Sequence, residues 1–345
     1  MNAIAKTMIK DSGAASIVAT VRNEKDTIVA FIDSLLEQSI KPAEIIIVDG
    51  ASTDGTREIL EKYAERNEVV LISQDCNIAQ GRNLGIGKAI NDVIAVTDAG
   101  CIVTETWLEN ILECFKQDPQ PDVVAGNFRF VCQSTFEEAV SLATFPPDRD
   151  ETEAARYYPS SRSLAFRKSA WEKAKGYPEW LFVAEDTLFN IRLRQLGCHF
   201  VFAKDAVVRW RPRTSWRALA KQRFNFARCN AQAGIGTQGY IINIKYHAAI
   251  LIPLLLGLLS PWLMLLSVYP LSQHLRQNLL PQARRAAEKN NRPEMKWYVL
   301  SVMEFVRLVG IAGFMAGRLD RLTSKKYSES QKAWMGVGSL DELKA

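Results

Sequence analysis

The chain has 345 residues, of which 48% are hydrophobic and 23% are charged. This composition excludes general disorder, and the length allows one large α/β domain with an appended region, or two domains. The net charge of +5 comes from 43 basic and 38 acidic residues, and the excess is concentrated after residue 200. A mild, localised excess favours an anionic substrate or membrane surface over a nucleic-acid groove.

The cysteines and the N-terminus indicate a reducing compartment. The first fifteen residues lack the charged start and apolar run of a signal peptide, so we expect a cytoplasmic N-terminal part. Six cysteines are spread along the chain without a CxxC pair or a Cys/His cluster, which predicts reduced thiols rather than a zinc site or disulfides. They are Cys76, Cys101, Cys114, Cys132, Cys198 and Cys229.

The first hundred residues alternate between short apolar runs and segments with helical periodicity. Short polar connections join them, which is typical of a mostly parallel sheet with right-handed crossovers. The strands are continuously apolar, so we expect both faces of the sheet to be covered. The predicted strands are 16–21, 45–48, 69–73 and 93–97, and the predicted helices are 27–38, 56–65 and 80–90.

Polar side chains end two of these strands. Asp98 closes the fourth strand before Ala99 and Gly100, and Asp49 closes the second. Open α/β sheets bind ligands at this edge, where Asp49 could accept a hydrogen bond from a base imide or a ribose hydroxyl. Arg82 is predicted at the start of the next helix, pointing to the same edge, although an exposed arginine there can equally be only solvated.

A second group of acids follows later in the chain. Predicted strands at 123–130 and 163–167 flank a variable stretch, and its segments 145–150 and 157–162 are interpreted as loops, the second a candidate acceptor loop. Glu185 and Asp186 then lie at the N-terminal end of a predicted helix. The helix dipole favours carboxylates there, but capping explains one acid better than two.

Four motifs in order resemble a family 2 glycosyltransferase, although no single one is specific. The motifs are Arg22-Asn23-Glu24, Val48-Asp49-Gly50-Ala51-Ser52-Thr53-Asp54-Gly55-Thr56, Gly81-Arg82-Asn83-Leu84-Gly85-Ile86 and Asp98-Ala99-Gly100. The resemblance implies a GT-A fold, which is a mostly parallel α/β sheet with flanking helices, together with a nucleotide-sugar donor and an inverting transfer.

The resemblance also implies roles for particular residues. Asp98 is the first acid of the family's Asp-x-Asp signature and a metal ligand, Asp186 is the catalytic base, and Glu185 positions donor or acceptor hydroxyls. The residues expected to bind the donor are Asn23, Glu24, Asp49, Arg82 and Asp98.

Two departures from the family pattern bear on the metal. Gly100 stands where the second acid of the signature would be. Many family members also have a histidine shortly after the strand that follows the Glu-Asp helix, but the corresponding segment here, 207–213, has none. A divalent cation, Mn²⁺ or Mg²⁺, is still expected, because such ions can bind one protein carboxylate plus phosphates and water. The candidate contacts to the diphosphate are Arg209, Arg211 and Arg213, which could equally meet acceptor or lipid headgroups.

The family's processive synthases carry Gln-x-x-Arg-Trp, which residues 222–226 do not match. This absence favours a non-processive enzyme that adds one sugar at a time. The helix predicted at 216–233 is basic and aromatic, and we expect it either along a membrane surface or packed as an ordinary helix.

The C-terminal part is predicted to be hydrophobic and helical. Residues 246–275 contain no Asp, Glu, Lys or Arg, a length that can cross a bilayer once or dip in and return at Pro261. Basic flanking segments would require the dip if all of them are cytoplasmic, and a single span with the following loop outside is an equal alternative. A soluble helical subdomain or dimer interface is the third possibility. A second apolar stretch, 297–317, contains Glu304 and Arg307, which could pair with each other.

These observations predict three regions: a catalytic domain at 1–235, a membrane-associated helical region at 236–323 and a polar tail at 324–345. The predicted activity is transfer of a sugar from a nucleotide-diphosphate donor, UDP-linked, to a lipid-linked or glycan hydroxyl at the cytoplasmic face of the inner membrane. Two alternatives stay open. One is a degenerate nucleotide-sugar-binding scaffold, and the other is a nucleotidyltransferase, for which residues 21–24 lack the expected glycine-rich loop.

Overall fold

The structure is a computed structural model that describes residues 15–117, 119–144 and 159–336. These residues form two compact units. The first holds the described residues up to Arg129 and from 159 to Trp210, and the second holds those from Phe130 to 144 and from Arg211 onward. The candidate loop at 145–150 and residues 157 and 158 of the candidate acceptor loop lie outside the described residues. The predicted boundaries at 235 and 323 stay predictions.

The first unit is built on an eight-stranded sheet in the order β3-β2-β1-β4-β7-β6-β8-β5. The strands are β1 (Ala15–Val21), β2 (Glu44–Asp49), β3 (Val70–Ser73), β4 (Val93–Asp98), β5 (Cys101–Val103), β6 (Val123–Phe130), β7 (Leu164–Arg167) and β8 (Phe200–Trp210).

The sheet is parallel over its first four strands, as predicted. β1 pairs in parallel with β2 and β4, and β2 with β3. The strands on the far side of β4 run the other way, since β7 is antiparallel to β4 and β6, and β5 is antiparallel to β8. The sheet as a whole is therefore mixed, and the carboxyl ends of β1, β2 and β4 share one edge.

Helices cover both faces of this sheet, as its continuously apolar strands require. One face packs Phe31, Leu60 and Trp107, and the other packs Ile86 and Phe189. The described helices of this unit are α1 (Ile28–Leu36), α2 (Thr56–Glu65), α3 (Ile78–Lys88), α4 (Trp107–Cys114), α6 (Lys168–Lys173) and α7 (Glu185–Gln195). Helix α5 (Thr135–Thr144) belongs to the second unit.

Helix α3 begins two residues earlier than predicted, and this moves Arg82 inward. Asn77 caps the helix by accepting from the backbone N–H of Gln80, whose side chain in turn accepts from the backbone N–H of Asn77. Such a reciprocal capping box fixes a helix start. Arg82 therefore lies in the second turn and is only 2% exposed, so the interpretation of it as a solvated residue is wrong.

The second unit is helical in the part that the structure describes. Besides α5 it contains α8 (Trp216–Ala233), α9 (Thr237–Leu256), a 3-10 helix (Pro261–Ser267), α10 (Val268–Gln273), a π-helix (His274–Leu279), α11 (Leu280–Lys289), a 3-10 helix (Pro293–Met295), α12 (Lys296–Thr323) and α13 (Lys326–Met335).

Helices α8 and α12 pack closely because glycines line their contact. A Cβ at Gly313 would lie 2.3 Å from the carbonyl oxygen of Phe224, and one at Gly317 would lie 2.1 Å from that of Arg228. Asp320 accepts from the Arg228 guanidinium at 2.6 and 3.0 Å. The basic helix 216–233 is thus a packed helix of the second unit.

The chain reverses direction after α9. Met264 lies against Gly257, where a Cβ would come within 2.2 Å of the methionine side chain. Further from the reversal, Ala249 and Tyr269 line one cavity, and the ring centroids of His247 and His274 are 5.1 Å apart. The uncharged run 246–275 therefore forms two antiparallel arms joined near residue 260.

Candidate active site

The turn that follows strand β4 contains a glycine in a left-handed backbone conformation. Gly100 has φ +82°, in the left-handed region that glycine adopts without cost, and it turns the chain from Asp98 into β5. A Cβ at position 100 would lie 3.5 Å from a carboxylate oxygen of Glu24. The turn therefore brings the Glu24 carboxylate beside the position where the family has its second acid.

Arg82 joins two of the predicted site residues. Its Nη2 donates to Oδ1 of Asp98, and its Nη1 donates to Oε1 of Glu185, each at 2.5 Å. The Arg82 side chain is 3% exposed and that of Glu185 is 7% exposed. Arg82 of α3 thus joins Asp98 at the end of β4 to Glu185 at the start of α7.

The charges in this cluster depend on one another. Burial disfavours the guanidinium charge, but Asp98 and Glu185 outweigh it and hold the pKa of Arg82 above its ordinary value. Burial also raises the pKa of the Glu185 carboxyl, to about 7. The positive charge of Arg82 opposes that rise, and the negative charge of Asp186 adds to it.

Asp186 lies next to this pair at the start of α7, as predicted. Its Oδ1 accepts from the backbone N–H of Thr187 at 2.7 Å, and its Oδ2 accepts from that of Ser161 at 3.4 Å. The second bond is long, and the residue is half-buried. Asp186 therefore keeps acceptor capacity on a carboxylate that is held in a fixed orientation.

Hydrogen bonds join the loop after β1 to the loop after β2. The backbone N–H of Asn23 donates to the Ser52 hydroxyl, and the Asn23 side chain accepts from the backbone N–H of Thr53, both at 2.9 Å. The buried Asp49 carboxylate accepts from the backbone N–H of Ser52 at 3.2 and 3.3 Å. Asp49 and Asn23 thus set the shape of the loops at this edge of the sheet.

Three non-glycine residues at this edge have left-handed backbone conformations. They are Asn23 (φ +57°) after β1, Ala51 (φ +60°) after β2 and Ala184 (φ +68°) before α7. Such conformations cost on the order of 1–3 kcal/mol each, and in folded proteins they cluster at ligand-binding sites. Their coincidence with the acids strengthens the assignment of a functional site here.

Arg162, the last residue of the candidate acceptor loop 157–162, also belongs to the site. Its guanidinium stacks 3.9 Å from the centre of the Trp210 ring, and its Nε lies 4.0 Å from Oδ2 of Asp98. Asp98 therefore faces two arginines. Arg162 comes from the irregular segment before β7, and neither a strand end nor a periodic pattern marks it in the sequence.

The three arginines predicted to meet a diphosphate do not lie on one strand. β8 starts at Phe200 and ends at Trp210, since Pro212 cannot donate to a sheet ladder. Arg209 is on β8, exposed and opposite Ile102. Arg211 and Arg213 belong to the second unit, where Arg211 donates to Oε1 of Glu137 at 3.0 and 2.8 Å. Their role at the diphosphate stays a prediction.

The residues at the end of β4 can hold a divalent cation. The Asp98 side chain is 29% exposed, and its Oδ2 lies 4.0 Å from Nε of Arg162. The Glu24 carboxylate beside Gly100 provides a second set of oxygen atoms, one of which accepts from the Thr27 hydroxyl at 2.7 Å. Two nearby carboxylates suit Mg²⁺ or Mn²⁺, which take the rest of their ligands from phosphate and water.

Known proteins resemble this chain in sequence and in fold. The profile of Glycosyl transferase family 2 matches residues 16–172. Glycosyltransferase AglE of Haloferax volcanii is 23% identical over 223 residues, covering 63% of this chain and 73% of that protein. O-antigen chain rhamnosyltransferase RfbN of Salmonella typhimurium is 24% identical over 195 residues, covering 52% of this chain and 60% of that protein.

A solved structure shares the fold. The mannosyltransferase PcManGT from Pyrobaculum calidifontis, in complex with GDP-Man and Mn²⁺, superposes with a TM-score of 0.58 at 18% identity, covering 89% of this chain and 87% of that one. The mixed sheet with helices on both faces is accordingly the GT-A fold. The chain therefore carries a family 2 glycosyltransferase domain over residues 16–172, and these relatives are glycosyltransferases.

Proposed function

We propose that the chain is an inverting enzyme that moves a sugar from a nucleotide-diphosphate donor, UDP-linked in the first instance, to a hydroxyl of a lipid-linked or glycan acceptor. The observation that supports this most strongly is the cluster at the sheet edge, in which Arg82 binds both Asp98 and Glu185 beside Asp186. It combines a donor-side carboxylate with a second acid pair that is available to an acceptor.

Asp186 is the base in this proposal. Inverting transfer needs a carboxylate to take the proton of the acceptor hydroxyl as its oxygen attacks the anomeric carbon from the face opposite the phosphate. The new C–O bond forms as the bond to the diphosphate oxygen breaks, and the electron pair leaves with the nucleoside diphosphate. The backbone N–H groups of Thr187 and Ser161 orient the carboxylate for this step.

Glu185 supports the base rather than replacing it. One of its oxygens is engaged by Arg82, and the residue is 5% exposed. This position fits a residue that orients donor or acceptor hydroxyls next to Asp186. Arg82 is a positioning residue, because it holds Glu185 and Asp98 at a fixed separation while its own side chain is buried.

The charge on the departing diphosphate needs a partner. A bound Mn²⁺ or Mg²⁺ would neutralise that charge, with Asp98 and the neighbouring Glu24 as its protein ligands. Arg162 adds a cation on the same side of Asp98. Donor binding measured with and without EDTA tests this arrangement, and we expect the chelator to weaken binding and added Mn²⁺ to restore it. Equal donor affinity in both conditions would contradict a cation at Asp98.

A panel of nucleotide sugars identifies the donor. We expect one UDP-linked sugar to raise the melting temperature of the full chain and to be consumed when a glycan or lipid extract is supplied. The Pyrobaculum enzyme was solved with GDP-Man, so GDP-linked sugars belong in the same panel. Stabilisation by a nucleotide sugar without turnover of any donor would favour a binding scaffold instead.

Membrane association is the second half of the proposal. Thr237–Leu256 and Pro293–Thr323 are long and apolar enough to cross a bilayer. Large apolar side chains are also exposed along both arms of the reversal between residues 251 and 271, a pattern that is unfavourable in water. The exposed residues include Leu255, Leu258, Leu259, Trp262, Leu265 and Tyr269.

The antiparallel arms support the dip rather than the single crossing of 246–275. Although the helix Thr237–Leu256 has the length to cross, its uncharged part begins only after Lys245. Each arm of the uncharged run therefore has about fourteen residues, which reach about 21 Å as helix and fall short of a hydrocarbon core of about 30 Å. We therefore propose that both ends of the run lie on the cytoplasmic side, together with the catalytic unit.

Two measurements test the membrane proposal. Recovery of the detergent-free protein in the high-speed supernatant would rule out insertion. Cysteines placed at Asn278 or Pro281 should react with an impermeant reagent from the cytoplasmic side, whereas labelling from the opposite side would support a single crossing.

A further inference from the structure

Two of the three histidines in the chain meet an acid in the second unit, far along the sequence from the glycosyltransferase motifs. His247 comes from α9, His274 from the start of the π-helix and Glu304 from α12. Nε2 of His247 lies 2.7 Å from Oε1 of Glu304, and Nε2 of His274 lies 3.1 Å from Oε2. Both histidine side chains are more than 90% buried.

The predicted pairing of Glu304 with Arg307 is therefore wrong. Glu304 turns toward the two imidazoles, and Arg307 donates instead to the side chain of Gln282 at 2.9 Å. The reversal of the chain after α9 causes the difference, because it carries His247 and His274 together onto the face of α12 that presents Glu304.

The hydrogen bond on the far side of His247 determines what its Nε2 can do. Nδ1 of His247 lies 2.7 Å from the carbonyl oxygen of Asn243. A carbonyl oxygen only accepts, so Nδ1 must carry the proton, and the Nε2 of a neutral imidazole then presents a lone pair. That lone pair faces a Glu304 oxygen, which in an ionised carboxylate presents lone pairs as well.

Two facing lone pairs at 2.7 Å require a positive charge between them. A proton can supply it, but so can a metal ion, and the arrangement matches the way proteins prepare a histidine ligand. Metal-binding imidazoles usually donate their second N–H to a backbone carbonyl or a carboxylate, which fixes the tautomer and turns the other nitrogen to the metal. The His247–Asn243 bond has this form.

We propose that His247, His274 and Glu304 bind a divalent transition-metal ion of the Zn²⁺ class. Two imidazole nitrogens and one carboxylate are a ligand set that Zn²⁺ favours over Mg²⁺, with water in the remaining position. The three ligand atoms lie within 4.8 Å of one another. Metal–ligand bonds of about 2.0–2.2 Å place neighbouring ligands roughly 3.3 Å apart, so binding the ion would bring the most distant pair of ligand atoms closer by at most about 1.5 Å.

Such an ion would act as a clamp. It would connect both arms of the reversed segment, through His247 and His274, to Glu304 on α12. It would also neutralise Glu304, whose charge is costly in an apolar segment. This site is distinct from the proposed cation at Asp98, which has only oxygen ligands.

The metal content of the full chain tests the proposal. The protein should carry an affinity tag without histidines, be purified in detergent without chelator, and be incubated with equimolar ZnCl₂ before gel filtration. We expect about one zinc per chain by mass spectrometry, and visible absorption bands from tetrahedral Co²⁺ when cobalt replaces zinc. Less than a tenth of an equivalent, with no cobalt bands, would overturn the site in favour of a proton-bridged cluster.

Matched variants locate the ion. His274→Gln and Glu304→Gln should each lower the zinc content at least tenfold, whereas His199→Gln should retain it because His199 is exposed in the first unit. Asp98→Asn should retain it as well, which separates the two cation sites. Retention of zinc by Glu304→Gln together with His274→Gln would also overturn the assignment.

A measurement on the parent protein tests the site even if the variants fail to fold. Zn²⁺ added to chelator-treated parent protein should raise its melting temperature, and Mg²⁺ at the same concentration should not. Equal effects of the two ions, or no effect of either, would count against the clamp.

Discussion

Nη2 of Arg82 donates to Oδ1 of Asp98 at 2.5 Å, so the acid that ends the central strand is bound to a buried cation of the same unit. The same guanidinium holds Glu185 at the start of α7. Arg82 therefore fixes the distance between the acid assigned to the donor and the acid pair assigned to the acceptor. Changes at Arg82 should alter stability and activity together.

Replacement of Arg82 by alanine should destabilise the first unit by about 3–5 kcal/mol, because it leaves two partly or fully buried carboxylates without their counter-charge. Transfer should be lost as well. Arg82→Lys should recover less than half of the lost stability, since one ammonium cannot match a planar guanidinium that bridges two acids. Chemical unfolding measures both variants, and parental stability of Arg82→Ala would contradict the bridging role.

Stability should fall between about pH 4.5 and 7 through Glu185. The pKa of this carboxyl is raised to about 7 in the folded chain from an ordinary 4.5, so in this window the folded state keeps a proton that the unfolded state has released. Its contribution is complete below the unfolded pKa and is lost as the pH rises through the folded pKa. The loss should be on the order of 3 kcal/mol.

Glu185→Gln removes this titration while keeping the hydrogen-bond acceptor for Arg82. The difference in unfolding free energy between parent and variant should therefore change across the same pH window. A constant difference from pH 4.5 to 7 would show that Glu185 titrates normally.

Arg162 should contribute to donor binding because it lies beside Asp98, whereas Arg209 is exposed on β8. We expect Arg162→Ala to raise the donor KM by about tenfold to a hundredfold, the range for a charge-assisted hydrogen bond. Arg209→Ala should have a smaller effect. Arg57→Ala, on the exposed face of α2, is the control. A larger effect at Arg209 than at Arg162 would instead support the prediction that Arg209 contacts the diphosphate.

Close packing of α8 against α12 depends on a glycine. Gly317→Ala should destabilise the second unit by about 1–3 kcal/mol or more, because the added Cβ would meet the Arg228 carbonyl oxygen at 2.1 Å. Gly239→Ala is the matched control, since its Cβ would meet nothing within 4 Å and alanine favours a helix. Melting temperatures in detergent compare the two, and equal shifts would contradict close packing.

Local patterns made most of the first unit predictable. Apolar runs with short polar connections located β1 to β4, and the bounds of α2 and α8 agree with the structure to the residue. The antiparallel strands beyond β4 could not be foreseen, because their pairing depends on contacts between segments that lie far apart in the sequence. The start of α3 differs from the prediction because the capping box at Asn77 begins the helix ahead of the predicted start at residue 80.

The candidate site divides in the same way. Asp49, Asp98, Glu185 and Asp186 stand at element ends, where sequence patterns are informative. Arg162 reaches Asp98 from an irregular segment, and the convergence of His247 and His274 on Glu304 follows from a chain reversal. Neither relationship has a periodic signature, so only the folded chain reveals it.

The most direct test of the proposed function is the transfer rate of Asp186→Asn with the nucleotide sugar that stabilises the parent protein. The donor dissociation constant should stay within about twofold of the parent value, while the rate should fall by about 10²–10⁴-fold. Asp205→Asn, an exposed carboxylate on β8, should keep the parental rate. A rate for Asp186→Asn above half the parental value, or loss of donor binding together with the rate, would contradict Asp186 as the base.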